Sequence, residues 1–420
     1  MSKETQPRDK KIPAWFCQRE NMALVFLAGV LLLLHLIALF QEDELIYDES
    51  ANVAEANYVL YGDEMDPFYI EWGERNGFLL EDYEEVSLPH HMPLGKLILA
   101  ASIGLIGDNN LGWRIGPVLF GTTSIIIFYL ICQKLSSRRW FPLVATFIFA
   151  FENLCFVMSG LALQYVYGVT FLLLAFLLYL HGRLIPAAII LALGALCKIV
   201  VAFGGIVIVV HWLLVRREPT RNALKFLIIA PLAFVALLPL FDYWATGHLI
   251  YPWDRIYNYV DLHADPSLSQ GPAAFRSLFG AMLPWDWLIS PQSFRIWRDP
   301  SYEMTVNWPL WGLIIPLILY MSFEAVRQRW HSLAVFALLW FVCGYLPWFI
   351  IYWGFDRVSY PFYFYPIVPA VCLAAGYAIF QIGAFGWECN RAVLKWGVIA
   401  LPFCWLAAHF AMFWMMAPIV

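Results

Sequence analysis

Charged residues are scarce in this 420-residue sequence: Asp, Glu, Lys and Arg make up 14% of it, against about 25% in soluble domains. Hydrophobic residues make up 61%, and the mean hydropathy is +0.67. This composition excludes an ordinary soluble protein and indicates an integral membrane protein. The net charge of −5 shows no excess of positive charge, so nucleic acid is not expected as a partner.

Cysteine is absent from the two long polar segments, 41–111 and 243–308, although the chain has eight cysteines in all. A disulfide framework or a zinc finger would need cysteines in such segments. We therefore expect the cysteines to be small apolar residues of the core.

The chain begins with a polar, net basic segment, 1–21, which we expect to be a cytoplasmic tail. The apolar run after it is not followed by a small-x-small cleavage site, so it is expected to be an uncleaved signal anchor. Eleven apolar runs can be placed as spans of the length that a bilayer requires, about 17–25 residues. They are 22–40, 112–134, 140–157, 161–181, 184–197, 199–215, 222–242, 309–325, 331–351, 363–384 and 394–416.

The distribution of charge fixes the expected orientation. With the N-terminus inside, the five inner loops are all basic, as the positive-inside rule requires. They are KLSSRR (134–139), HGR (181–183), RREPTR (216–221), VRQR (326–329) and NRAVLK (390–395). The outer segment 41–111 holds sixteen acidic residues against two basic ones. The C-terminus is then outside.

A twelfth apolar run, 92–107, would invert this orientation if it crossed the membrane, so we expect it to lie in the outer interface. The sequence therefore predicts an all-α polytopic membrane protein, with a single membrane domain over 22–420. Its two large outer loops, 41–111 and 243–308, carry interfacial helices.

Candidate functional residues collect on the outer side. Arg357, Lys198 and Lys96 can meet a phosphate, and the adjacent acids Asp48 and Glu49 can take a proton from a hydroxyl. Charged residues at membrane depth are functional candidates by default. The other polar and aromatic candidates on this side are His90, His91, Asp261, His263, Asp265, Trp285, Asp286, Trp287 and Asp356.

Simpler interpretations stand beside these. An acidic pair at a surface is usually only solvated, and Arg357 can snorkel to the interface. The histidines His90 and His91 are adjacent, so they form a weak metal motif. The PWDW stretch, 284–287, can be part of an aromatic belt.

The order of motifs resembles the dolichyl-phosphate-mannose protein mannosyltransferase family. This family belongs to the GT-C membrane glycosyltransferases, as do the lipid A aminoarabinose transferases. The similar stretches are YDES (47–50), HHMPLGK (90–96), WRIGPVLFG (113–121), FAFENLCFVMSGLAL (149–163), the lysine-bearing pair of helices around Lys198, VDLHADPS (260–267), LPWDWLISP (283–291) and DRVSYPFYFYPIVPA (356–370). The resemblance covers roughly 40–385.

The chain departs from this family at several positions. Gly160 stands where the family has an arginine, Tyr165 where it has a second aspartate, Glu152 where it has an aspartate, and Phe364 where it has a histidine. The loop 243–308 is also too short for the soluble insert of eukaryotic members. This favours a bacterial or archaeal protein in the plasma (inner) membrane.

The resemblance implies a GT-C bundle of about eleven transmembrane helices and a polyprenyl-phosphate-dependent, inverting glycosyltransferase. The acceptor would be a hydroxyl of a protein Ser or Thr, or of a lipid or glycan, outside the cytoplasm. Asp48 is the expected base, with Glu49 beside it, and Arg357, Lys198 and Lys96 are expected to bind the donor phosphate. The expected groove for sugar and acceptor comprises His90, His91, Glu152, His263, Trp285, Asp286, Trp287 and Tyr363.

Two points stay open at this stage. Glu49 and the histidines either orient the acceptor or bind a divalent cation, and no metal ligands are assigned. Gly160 and Tyr165 also allow a catalytically inactive GT-C subunit of a larger membrane complex, whose acidic outer loop would dock a basic partner. A transporter is less favoured, because the sequence shows no inverted repeat of broken spans.

Overall fold

The computed structural model describes residues 18–64, 91–216, 220–264, 282–290, 294–328, 332–355, 359–388 and 391–419. These parts of the chain are almost entirely helical, in agreement with the predicted all-α class. In the first half, the α-helices are α1 (Arg19–Leu39), α2 (Glu49–Tyr61), α3 (Pro93–Ile106), α4 (Asn110–Leu135), α5 (Phe141–Ala150), α6 (Asn153–Gly160), α7 (Tyr165–Leu180), α8 (Leu184–Cys197) and α9 (Phe203–His211).

The second half continues with further helices and one small hairpin. Its α-helices are α10 (Thr220–Thr246), α11 (Pro252–Ala264), α12 (Asp286–Ile289), α13 (Trp308–Trp311), α14 (Ile314–Arg327), α15 (Ser332–Tyr345), α16 (Pro347–Phe355), α17 (Val368–Glu388) and α18 (Ala392–Met416). Strands β1 (Arg295–Trp297) and β2 (Tyr302–Glu303) pair antiparallel. Short 3₁₀ helices cover Gly62–Glu64, Ile199–Ala202 and Pro361–Ile367, and a π-helical turn covers Trp212–Arg216.

Each predicted apolar run coincides with a helix or with consecutive helices. Within the described residues, six helices are long and apolar enough to cross a membrane, or seven if the bent pair α5 and α6 is one span. Shorter apolar helices account for 93–106, 165–180, 184–197 and 199–215. The chain is therefore an integral membrane protein, while the count of eleven crossings and the interfacial position of α3 stay predictions.

Two long apolar helices lie at the outside of the bundle. Only 11% of the apolar window of α10 and 17% of that of α18 is buried inside the protein. Apolar side chains that no protein covers are stable in lipid, because the hydrocarbon of a bilayer is as apolar as they are. These two helices therefore present lipid-facing surfaces.

Small residues bring the central helices into close contact. On α17, a Cβ atom added to Gly376 would lie 2.6 Å from the Cβ of Ala145 on α5. On α4, a Cβ added to Gly121 would overlap the Cβ of Ser159 on α6. Helices in membranes associate through such close van der Waals packing, so these glycines set the spacing of the bundle.

We expect Gly376→Ala to lower the thermal stability of the detergent-solubilised protein, because the new methyl group overlaps the backbone of α5. Gly383→Ala is the matched control on the same helix, since its Cβ would meet nothing within 4 Å. It should leave stability unchanged or raise it by up to about 1 kcal/mol through helix propensity. Equal melting temperatures for the two variants would contradict the packing described above.

Candidate active site

The site begins with a buried ion pair. Glu49, the first residue of α2, pairs with Arg114 on α4 in bidentate geometry: Nε lies 2.9 Å from Oε1, and Nη2 lies 2.6 Å from Oε2. Neither side chain has exposed surface. Such fork-to-fork pairs fix orientation as well as distance.

Arg114 uses its remaining N–H groups to hold the loop before α2. It donates to the carbonyl oxygens of Glu42 at 2.5 Å and Glu44 at 2.6 Å, and to Oδ1 of Asn110 at 2.6 Å. All five N–H donors of the guanidinium are therefore satisfied. The loop that carries the YDES motif is tied to the start of α4.

Glu49 is fully occupied as well. Its Oε2 accepts from the backbone N–H of Ile46 at 2.9 Å, and its Oε1 accepts from that of Ala162 at 2.7 Å. With two bonds to Arg114 and two to the backbone, this carboxylate has no acceptor site left for a substrate. The geometry favours a structural role for Glu49 over the catalytic role that the sequence suggested.

Asp48 is placed differently, although it is the neighbouring residue. It is partly buried, and its carboxylate makes no hydrogen bond to any part of the chain that the structure describes. The preceding Tyr47 has φ of +57°, an uncommon conformation for a residue with a side chain. Burial raises the pKa of Asp48 to about 6, and the positive charge of Lys198 opposes that rise.

Lys198 lies at the break that follows α8. Its backbone is extended, and the chain continues into the 3₁₀ turn Ile199–Ala202. The Nζ atom lies 3.4 Å from Nδ1 of His91 and 4.4 Å from the ring centroid of Tyr165. The lysine, the histidine and Asp48 thus come together from three separate parts of the chain.

Aromatic rings form one wall beside this cluster. Tyr165 stacks on Tyr363, with ring centroids 6.1 Å apart, and Tyr363 stacks on Trp348 at 4.6 Å. Trp287 meets Trp348 edge-on at 5.6 Å, and Phe362 meets Tyr165 edge-on at 5.5 Å. These rings are buried against one another and form a packed aromatic cluster beside the lysine.

A small apolar cleft lies next to the wall. Its lining includes Val200, two residues beyond Lys198, and also Phe203, Trp348, Tyr363 and Ile367. The cleft is therefore close along the chain to the lysine, and its lining is apolar.

Lys96 has another partner. Its ammonium has no exposed surface and lies 3.0 Å from Oε1 of Glu55 on α2. Nearby, Arg255 on α11 pairs with Asp242 at 3.3 Å and donates to the carbonyl oxygen of His91 at 2.5 Å. Lys96 thus joins a buried charge network that supports the backbone of His91, which does not fit the predicted contact with a phosphate.

Glu152 lies inside the bundle, where α5 and α6 meet at a bend of 62°. It has no exposed surface, and it caps α6 by accepting from the N–H of Cys155 at 2.8 Å. Its second oxygen accepts from the N–H of Asn307 at 2.9 Å. This enclosed position favours a capping role over the predicted place in a groove.

In the PWDW stretch, the tryptophans pack against other aromatic rings and the aspartate closes a turn. Trp287 is buried in the aromatic wall, and Trp285 packs edge-on against Tyr352 at 5.3 Å. Asp286 accepts from the N–H of Leu283 at 2.9 Å and so closes the turn before α12.

Six of the predicted residues lie where the structure describes no side chain. Arg357, His90, Asp265 and Asp356 lie outside the described residues, and Asp261 and His263 lie on α11 in a part whose side chains are not described. Elsewhere in the described chain, no group of three or more His, Cys, Asp or Glu is arranged to hold a metal ion. The divalent cation stays a prediction.

Sequence reasoning missed the contribution of Tyr165 and the structural role of Arg114. By residue type, Tyr165 is only the replacement of a family aspartate, yet its ring contacts Lys198 directly. Arg114 was noted only as a motif residue. Its ion pair could have been predicted, because an arginine at the start of an apolar helix is expected to be buried. A buried charge requires a partner.

Glu49→Gln should lower the free energy of unfolding by about 3–5 kcal/mol, because it leaves the buried Arg114 without its counter-charge. Asp48→Asn is the matched control one residue away, and it should leave stability unchanged or raise it. The folded pKa of Asp48, about 6, exceeds its unfolded value of about 4, so stability falls as the pH rises from about 4 to about 6 and stays at the lower value at pH 7. Unfolding in detergent at pH 7 measures the stability of both variants. A Glu49→Gln variant as stable as the wild type would contradict the structural role of the ion pair between Glu49 and Arg114.

No protein-family model matches the chain. The chain is similar to curated polyprenol-phosphate-mannose–protein mannosyltransferases of three bacteria. The identity is 24% to that of Mycolicibacterium smegmatis strain ATCC 700084, over 70% of this chain and 71% of the relative. The identity to the Mycobacterium tuberculosis strain H37Rv protein is also 24%, over 71% of each chain. The identity to the Corynebacterium glutamicum protein is 22%, over 66% of this chain and 68% of the relative.

Solved structures show the same architecture at low sequence identity. The Saccharomyces cerevisiae protein O-mannosyltransferase Pmt1-Pmt2 complex bound to the sugar donor aligns with a TM-score of 0.69, at 11% identity, over 96% of this chain and 90% of that chain. The Archaeoglobus fulgidus oligosaccharyltransferase aligns with a TM-score of 0.59 at 12% identity, over 96% of this chain and 56% of that chain. ArnT from Cupriavidus metallidurans aligns with a TM-score of 0.53 at 13% identity, over 96% of this chain and 77% of that chain.

These comparisons confirm the resemblance that the motifs indicated. The chain is similar in sequence to the bacterial protein mannosyltransferases, and it has the GT-C fold of membrane glycosyltransferases.

Proposed function

We propose that the protein is an inverting glycosyltransferase that moves a sugar from a polyprenyl-phosphate donor to a hydroxyl acceptor outside the cytoplasm. The observation that carries this proposal is the electrostatic coupling of the partly buried Asp48 to Lys198, which lies two residues before Val200 of the apolar cleft. The relatives named above are polyprenol-phosphate-mannose–protein mannosyltransferases. Mannose and a protein Ser or Thr are therefore the first sugar and acceptor to test, with lipid and glycan acceptors next.

Asp48 acts as the general base. With a pKa of about 6 it is ionised at neutral pH, and it is a stronger base than an aspartate in water. It takes the proton from the acceptor hydroxyl while the hydroxyl oxygen bonds to the anomeric carbon. The bond from that carbon to the phosphate oxygen breaks on the opposite face, so a single displacement inverts the anomeric configuration.

Lys198 stabilises the leaving group. The electron pair of the broken bond stays on the lipid phosphate, whose negative charge grows in the transition state. A fixed ammonium in a site with little water stabilises such charge strongly. Arg357 is proposed as a second cation for the same phosphate, because the motif resemblance puts it at the family's arginine.

The cleft beside Val200 receives the first part of the polyprenyl tail. Its lining is apolar, as a hydrocarbon requires, and Val200 in that lining is two residues from Lys198, so the same stretch of chain would meet both the tail and the phosphate. Trp287, Tyr363 and His91 would border the sugar. His90, His263, Trp285 and Asp286 stay proposed contacts of the acceptor side.

The alternative function, a catalytically inactive subunit, is not favoured. An inactive scaffold has no need for a partly buried aspartate beside a lysine, because such a group destabilises the fold when it is ionised. A partner subunit is compatible with either function, and the solved yeast structure named above is a Pmt1-Pmt2 complex. We further propose the plasma (inner) membrane of a prokaryote, with residues 1–21 in the cytoplasm and the C-terminus outside.

Asp48→Asn should abolish transfer, with a fall of about 10²–10⁴-fold in kcat, because general-base catalysis contributes that much. Donor binding should be retained, since the variant keeps Lys198. The assay uses purified protein with polyprenyl-phosphate mannose and a Ser/Thr peptide, and then other polyprenyl-phosphate sugars. Full activity in Asp48→Asn would exclude this residue as the base, and no turnover of any donor by the wild type would favour the inactive subunit.

The pH dependence offers an independent check on the same residue. Because Asp48 must be ionised to accept a proton, kcat/KM should rise with pH and level off above about 6. A profile of transfer rate between pH 4.5 and 8 measures this. A rate that falls as the pH rises through 6 would show that an acid, and not a base, is required.

A further inference from the structure

Tyr165 lies under the ammonium group of Lys198. It is the first residue of α7 and is buried, and its ring centroid lies 4.4 Å from Nζ of the lysine. A cation over an aromatic face is attracted by the ring quadrupole, and the attraction grows when the pair is shielded from water. The ring therefore attracts the ammonium without carrying a charge of its own.

The ring of Tyr165 is itself held from two directions. Tyr363 stacks against it with an interplanar angle of 27°, and Phe362 meets its edge at 76°. Tyr363 is in turn stacked on Trp348 at an angle of 18°. Packed rings of this kind cannot reorient freely, so the face that Tyr165 offers to the lysine is fixed in position.

The ammonium also contacts His91, whose Nδ1 lies 3.4 Å from Nζ. The ionisation of Asp48 responds to the charge of Lys198. A carboxylate in the place of Tyr165 would add a negative charge beside the lysine, whereas the aromatic face attracts the ammonium without adding one.

We propose that Tyr165 is a positioning residue for Lys198, which holds the ammonium on its ring face so that it meets the phosphate of a polyprenyl-phosphate ligand. The inference rests on the proposed function for the identity of that ligand. It also gives the departure from the family's acid a physical meaning, since the residue at that position is here an aromatic contact of the lysine.

The test is direct binding of a fluorescent short-chain polyprenyl phosphate to the full-length protein in detergent, with no sugar and no turnover. Tyr165→Phe keeps the ring and should bind within about twofold of the wild type. Tyr165→Leu removes the ring face and should bind roughly tenfold more weakly. In a Lys198→Met background, Tyr165→Leu should have no further effect, because a residue that acts through the lysine is silent once the lysine is gone.

Two further ligands identify what the site recognises. Polyprenol without the phosphate should bind equally to the wild type and to Tyr165→Leu. Inorganic phosphate should displace the lipid phosphate only in large excess, because it lacks the tail. Displacement at equal concentrations would overturn the assignment to a lipid phosphate, and weaker polyprenol binding by Tyr165→Leu would show a role towards the tail instead.

Three outcomes would overturn the role of Tyr165. Phe and Leu variants that weaken binding equally would make the hydroxyl the active group, and a Leu variant that binds normally would show that the ring is not needed. Equal losses with and without Lys198 would show that Tyr165 acts on its own. Because binding is measured without transfer, a failed glycosyltransferase assay leaves this result interpretable, and melting curves of each variant exclude a loss of fold.

Discussion

The buried ion pair between Arg114 and Glu49 is the contact on which the geometry of the site depends. It ties the loop before α2 to α4, and it reaches the N–H of Ala162, three residues before α7 begins at Tyr165. The same pair therefore fixes the residue that precedes α2, Asp48, and the residue that begins α7. Because Glu49 is saturated by these bonds, its neighbour is the carboxylate left for chemistry.

The fold could be predicted well from the sequence because its main determinant is local. Each apolar run that was long enough to span a bilayer became a helix or consecutive helices, and the break after α8 appears at Lys198, as the pattern indicated. The charge pattern of the loops put Asp48 and Lys198 on one side of the membrane. Their electrostatic coupling in the structure agrees with that expectation.

The roles of individual charged residues could not be predicted in the same way, because they depend on partners that are distant in sequence. Glu49 and Asp48 are adjacent, and nothing local tells which of them meets an arginine 65 residues away. Lys96 and Glu152 were assigned to binding by their position in motifs, yet each is enclosed by tertiary partners. By residue type, Tyr165 only removes an aspartate of the family. Its contact with Lys198 is visible only in the packing of the folded chain.

We propose that a lipid phosphate binds between Lys198 and the apolar cleft, with Asp48 facing the site of transfer. A structure of the protein with bound polyprenyl phosphate would test this proposal. We expect a phosphate oxygen within hydrogen-bond distance of Nζ of Lys198, and the first isoprene units against Val200 and Tyr363. A phosphate bound at Lys96 and Arg255, or one with its tail outside the cleft, would contradict it.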